Sequence, residues 1–181
     1  MTRLGYVMTT YFAVLAIGGL SFVRVAPKLI WNASASTPTG LYRIRPAERL
    51  AVGDLVAVDA PEPLASFLAD NGYLPRGVPL MKRVAGLPGQ EVCRNGLAIT
   101  VDGIEIGKAL EHDRLGRPLP VWQGCRRIVS GKVFLMNGQV RDSLDGRYFG
   151  PIQTSSIIGR ATPMWTDKDG TGRHEWRAPT H

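Results

Sequence analysis

Histidine and cysteine are both scarce in this chain of 181 residues, with three of the first and two of the second. His112 sits in a charged loop, and His174 and His181 in a polar tail. None has the spacing that metal ligands on one element need. A zinc centre and a serine–histidine–carboxylate protease therefore both lack their central residue type. Cys93 and Cys125 are too far apart for a C-x-x-C pair, which removes the usual zinc-binding and redox-motif readings. The sequence also has no internal repeat, low-complexity tract, helix-turn-helix pattern, or basic run interleaved with aromatics. Its net charge of +7 does not by itself select nucleic acid, anionic lipid or an acidic partner. No nucleic-acid partner, metal or cofactor is expected.

Hydrophobic residues make up 44% of the chain, enough for a packed core, and 21 glycines and 13 prolines argue for many turns and short strands. From Leu4 to Val23 no residue is charged. As a helix that stretch is about 30 Å long, the thickness of a bilayer core. It predicts one N-terminal transmembrane helix within residues 1–23. A cleaved signal peptide and a buried core helix are the alternatives, and Arg24 interrupts the small residues a cleavage site wants. Arg3 and the amino terminus balance Arg24 and Lys28, so charge does not orient the span. Residues 24–31 read as a tether, 32–165 as the main domain, and 166–181 as a polar, poorly ordered tail.

The main domain reads as mainly β: a coiled antiparallel sheet or partly open barrel. Strands are predicted over 41–46, 54–61 and 78–89, the last stopping at a Pro-Gly turn, with one short helix over 63–72. Asn95-Gly96 and Asp102-Gly103, each flanked by apolar alternation, are hairpin signals. They place a small hairpin-rich lobe at 91–130, bracketed by the two cysteines. Lone cysteines behind an export-like segment fit one structural disulfide in an oxidising compartment. The loop closed is about 32 residues, worth about 3–4 kcal/mol in the chain-entropy model. Two buried free thiols are the alternative.

With histidine unfit, a lysine can act as a general base only if burial lowers its pKa from about 10.4. Lys82 lies in the apolar run "VPLMKRVAGLPG", where alternation puts it on one face with Leu80 and Val84. The competing reading is an edge-strand lysine whose head snorkels to water.

Three stretches carry a resemblance. "SASTP" (34–38), "MKRVAGLPGQ" (81–90) and "DSLDGRYFG" (142–150) resemble, in order, three conserved boxes of the bacterial type I signal peptidases, the Ser–Lys membrane proteases. Asn32, Ser34, Ser36, Pro38, Gly40, Leu41 and Tyr42 are similar to the nucleophile box of the TraF-type branch, which processes conjugative pilins. The resemblance implies that Ser36 is the nucleophile, with Ser34 as the rival. It implies further that Ser34 helps bind the oxyanion, that Lys82 is the base and that Ser143 orients it. Asp145 and Arg147 would be a buttressing pair, or only a loop salt bridge. It also implies a membrane-bound enzyme on the periplasmic face of the inner membrane. The implied partners are a pilin precursor or another exported preprotein, the lipid bilayer and conjugative type IV secretion components. Housekeeping removal of signal peptides and an inactive membrane-tethered scaffold are the alternative functions. Three departures stand out. Thr37 replaces a methionine, Gln90 replaces an aspartate, and "MNGQVR" replaces the Gly-Asp-Asn-Arg lead-in to the third box.

Overall fold

The structure, a computed structural model, describes residues 2–21 and 27–177. In chain order the elements are α1 (Arg3–Ser21), β1 (Leu29–Asn32), β2 (Thr39–Arg45), β3 (Leu55–Val58), α2 (Leu64–Asp70) and β4 (Leu80–Gly86). The small-lobe strands follow: β5 (Glu91–Asn95), β6 (Ala98–Val101), β7 (Ile104–Lys108) and β8 (Gly124–Arg127). The chain ends with β9 (Lys132–Leu135), α3 (Gly146–Phe149), β10 (Ile152–Gln153), β11 (Ile157–Asp167) and β12 (Glu175–Trp176).

The strands form two sheets. The larger runs β1-β2-β11-β3-β4-β9-β10, with β12 added on β11, and the smaller runs β7-β6-β5-β8. β1 and β10 are the two ends of the larger sheet, so it is open and antiparallel. The Asp102-Gly103 hairpin has positive φ at both residues, 49° and 80°. That geometry matches the right-handed twist of the strands it joins.

Two apolar layers position the site. Val56, Val58, Val84, Val133 and Leu135 pack on one face of β3, β4 and β9. Tyr42, Ile44, Leu55, Ala57 and Met81 pack on the other. A third cluster, with Val92, Ile99, Trp122, Ile128 and Phe134, joins the small sheet to β9. Each such side chain contributes about 1.5–3 kcal/mol on burial. Gly40 permits the close approach of β2 to β11. Its φ is 135°, and a Cβ there would lie 2.2 Å from the carbonyl oxygen of Trp165.

Cys93 and Cys125 are directly opposed on β5 and β8 and joined as a disulfide. The free-thiol alternative is set aside. Replacing both with serine is expected to lower stability by about 2–4 kcal/mol in urea unfolding, without changing the far-ultraviolet circular dichroism.

The expected transmembrane helix is corrected. α1 has 19 residues, about 28 Å at about 1.5 Å per residue. Thr9, Thr10, Gly18 and Gly19 dilute its apolar character, and the Thr9 hydroxyl donates to the Gly5 carbonyl at 2.8 Å. No helix of the described residues is long and apolar enough to cross a membrane. Residues 22–23 of the expected span and 24–26 of the expected tether lie outside the described residues. The tail also differs from expectation. Glu175 and Trp176 pair with Thr166 and Trp165, because β11 runs on past residue 165 and offers an edge.

Candidate active site

Lys82 lies on β4, which is central in the larger sheet: Val56 of β3 pairs with it, and β9 flanks the other side. Only 4% of Lys82 is exposed. The edge-strand, snorkelling reading therefore fails. Burial pulls its pKa down from the ordinary lysine value to about 8. Asp145 and Asp142 oppose that shift by attracting the ammonium, while Arg147 adds to it. The ammonium donates to the Ser143 hydroxyl at 2.7 Å.

Ser36 lies in the turn between β1 and β2. Asn32, the last residue of β1, shapes that turn through one side-chain amide. Its Nδ2 donates to the carbonyls of Ser34, Thr37 and Pro38 and to the Thr37 hydroxyl, and its Oδ1 accepts from the Ser34 N–H. The Thr37 departure is thus accommodated: the side chain is buried, and its hydroxyl accepts from Asn32 at 2.8 Å. The Tyr42 phenol donates to the Pro38 carbonyl at 2.7 Å, tying the end of the turn to β2. Burial pushes the Tyr42 pKa up to about 12, so it stays a donor at any physiological pH.

Ser34 and Ser36 share a hydroxyl–hydroxyl hydrogen bond of 2.9 Å, and the Ser36 N–H donates to the Ser34 hydroxyl at 3.3 Å. Ser34, Ser36, Lys82 and Ser143 line one open cleft of about 480 Å³ with a leucine-rich wall that includes Leu68, Leu80 and Leu144. A second cleft of about 810 Å³ shares Ala35, Ser36 and Val140 with the first and is lined also by Thr39, Arg83, Ile106, Gln139 and Asp169. Ser36 stands where the two clefts meet.

The loop carrying Ser143 is held from beneath. Asp145 takes a two-pronged ion pair from Arg147, Nε to Oδ1 and Nη2 to Oδ2, both at 2.9 Å. Both side chains are essentially fully buried. Arg147 also donates to the carbonyls of Arg141, Val140 and Ser143. Asp145 caps α3 through the Arg147 N–H. Gly146 lets that helix press on β9: a Cβ there would sit 2.5 Å from the Phe134 ring. The Gln90 departure is a turn feature. Its side chain accepts from the Leu87 N–H and donates to Asp102.

Two residues without a role in the sequence reading emerge here. Asn32 was visible as part of the nucleophile box, without a reason for its presence. Asn137 falls in the departed lead-in, and only the structure shows its contacts.

The chain has clear relatives. The sequence family described as "Signal peptidase, peptidase S26" matches residues 2–165. A "Probable conjugal transfer protein TraF" of Sinorhizobium fredii is 37% identical over 145 residues, 75% of this chain and 76% of that protein. A "Plasmid transfer protein TraF" of Escherichia coli is 31% identical over 166 residues, 85% of this chain and 90% of its own. A "Probable signal peptidase I-1" of Synechocystis is 30% identical over 120 residues, 66% of this chain and 55% of that one. With a match over nearly the whole body and relatives of this similarity, the chain belongs to the signal peptidase family, peptidase S26, on its TraF-type branch, and is a serine peptidase of the signal-peptidase kind.

Proposed function

We propose that the protein is a membrane-associated Ser–Lys endopeptidase that cleaves an exported precursor, a conjugative pilin in the first instance. The observation that carries this reading is the buried Lys82, held by Ser143 and sharing one cleft with the half-buried Ser36. Neutral Lys82 takes the proton of the Ser36 hydroxyl as the oxygen attacks the scissile carbonyl. The Ser36 N–H and the Ser34 hydroxyl turn from each other to the developing oxyanion. Lys82 then returns the proton to the leaving amine, and water or a substrate amine resolves the acyl-enzyme. The Ser36–Ser34 hydrogen bonds open for this, and the catalytic contacts tighten only when substrate is bound.

The localisation proposed is the inner membrane, with the body on the periplasmic side. The disulfide suits an oxidising compartment. α1 exposes apolar side chains from Leu4 to Ile17, and Trp31, Trp165 and Trp176 are exposed beside the chain's entry into β1. Such surfaces suit a bilayer interface.

The test is the intact mass of a conjugative pilin precursor co-expressed with the wild type or with Ser36→Ala. Processing is expected only with the wild type. A product one water lighter than the linear cleaved chain would mean closure by its own amine, and a linear product plain hydrolysis. Equal processing by Ser36→Ala would remove the Ser36 assignment in favour of Ser34, and no processing in either strain would remove the pilin assignment.

A further inference from the structure

Beyond Met136, β9 no longer pairs with β4 through its backbone, and the side chain of Asn137 takes over. The Met136 N–H donates to the Arg83 carbonyl at 2.9 Å, the last backbone rung. Asn137 Oδ1 then accepts from the Arg83 N–H at 2.9 Å, and its Nδ2 donates to the Met81 carbonyl at 3.1 Å. The amide thus grips β4 on both sides of Lys82. The same Nδ2 donates to the carbonyl of Ser36 at 2.7 Å. Asn137 is buried, and its own N–H donates to Asp145 at 3.0 Å. One amide therefore touches the backbone of Ser36, the backbone flanking Lys82 and the carboxylate beneath the Ser143 loop.

We infer that Asn137 is a positioning residue that sets the separation of Ser36 from Lys82, an inference that rests on the Ser–Lys reading above. The physical argument is one of rigidity. Among the described residues, the 33–38 turn has no strand partner on its Ser36 side, whereas β4 lies in the middle of a sheet. A turn joined to β4 by one buried amide keeps its register. Without that amide, the Ser36 carbonyl loses its anchor and the turn is free to drift from Lys82. Misplacement of a reacting group by about 1 Å can cost about 10²-fold in rate. Neither Ser36 nor Lys82 is chemically altered by Asn137, so substrate binding and the ionisation of Lys82 stay as they are.

The test uses the full chain and an N-acyl-alanine p-nitrophenyl ester as the acylating probe. The variants are Asn137→Ala, Asn137→Ser and Ser36→Ala. Both Asn137 variants are expected to lower kcat about 10–100-fold, with KM within about threefold. The acidic limb of the pH–rate profile is expected to stay where the wild type has it. Serine keeps an acceptor but is too short to reach the Ser36 carbonyl, so it serves where alanine does not fold. A folded variant with kcat within about twofold of wild type overturns the inference. So does a shift of the acidic limb toward ordinary lysine values, since that marks a loosened, wetted interior. Failure of both variants to fold also overturns it and makes Asn137 purely structural. If Ser36→Ala keeps wild-type turnover, the Ser–Lys reading itself falls, whatever the Asn137 variants do.

Discussion

Lys82→Ala is expected to lower turnover by about 10²–10⁴-fold, the share of a positioned general base, with the fold intact. The pH dependence gives this prediction its sharper form. With its pKa drawn down to about 8, Lys82 is about one-tenth neutral at pH 7. The wild-type rate should rise about tenfold per pH unit below that value and level off above it. The stability consequence runs in the same direction, over a higher pH window. The unfolded lysine titrates near 10.5 and the folded one near 8, so between these values the unfolded state binds more protons. Stability therefore rises with pH across that window, and below it the buried ammonium carries its full penalty, about 3 kcal/mol. Lys82→Met, which keeps volume and removes the charge, is expected to be inactive yet to melt higher at pH 7. The gain should disappear above pH 10.5. A thermal melt at pH 7 and pH 11 checks it, and a lower melting temperature at pH 7 would mean that the Ser143 hydrogen bond outweighs the burial cost.

Arg147→Ala is expected to cause the largest loss of stability, about 3–5 kcal/mol, read as a drop in the urea midpoint. Removing it leaves the fully buried Asp145 carboxylate without its cation, and an uncompensated buried charge is costly on that scale. It also frees the carbonyls of Arg141, Val140 and Ser143 in the same loop. Arg147→Lys should recover little, because a lysine cannot reproduce the two-pronged contact with Asp145 or reach the carbonyls at the same time. A loss below about 1 kcal/mol would reduce the pair to the weight of a surface salt bridge. The Arg114–Asp142 pair nearby supplies the contrast. The Arg114 side chain is 82% exposed, and Arg114→Ala should change stability little.

Much of this architecture is legible from local pattern. Asp102-Gly103 announces its hairpin because two consecutive positive φ values need those residue types. The apolar run from Leu80 to Ala85 announces a buried strand. The spacing of Asn32, Ser34, Ser36 and Pro38 announces a turn that presents hydroxyls. Lys82 shows the limit of such reading. The residues sharing its strand face, Leu80 and Val84, are apolar whether β4 is an edge or a centre, and only the pairing with β3 and β9 decides that the ammonium cannot reach water. The N-terminal helix shows the opposite failure. An uncharged run from Leu4 to Val23 satisfies a count, but the threonines and glycines within it weaken the helix as a membrane span.

The sequence alone determined the family, the β-rich character and the three boxes that hold Ser36, Lys82 and Ser143, because these depend on residue type and order along the chain. Tertiary structure decided whether Lys82 is dry, whether Cys93 meets Cys125 and what replaces the missing lead-in of the third box. Each of those depends on groups distant in sequence: Val56 against Lys82, Cys93 against Cys125, and the Asn137 amide against the Ser36 carbonyl. Burial and hydrogen bonding are properties of such distant pairs, and no window along the chain contains them.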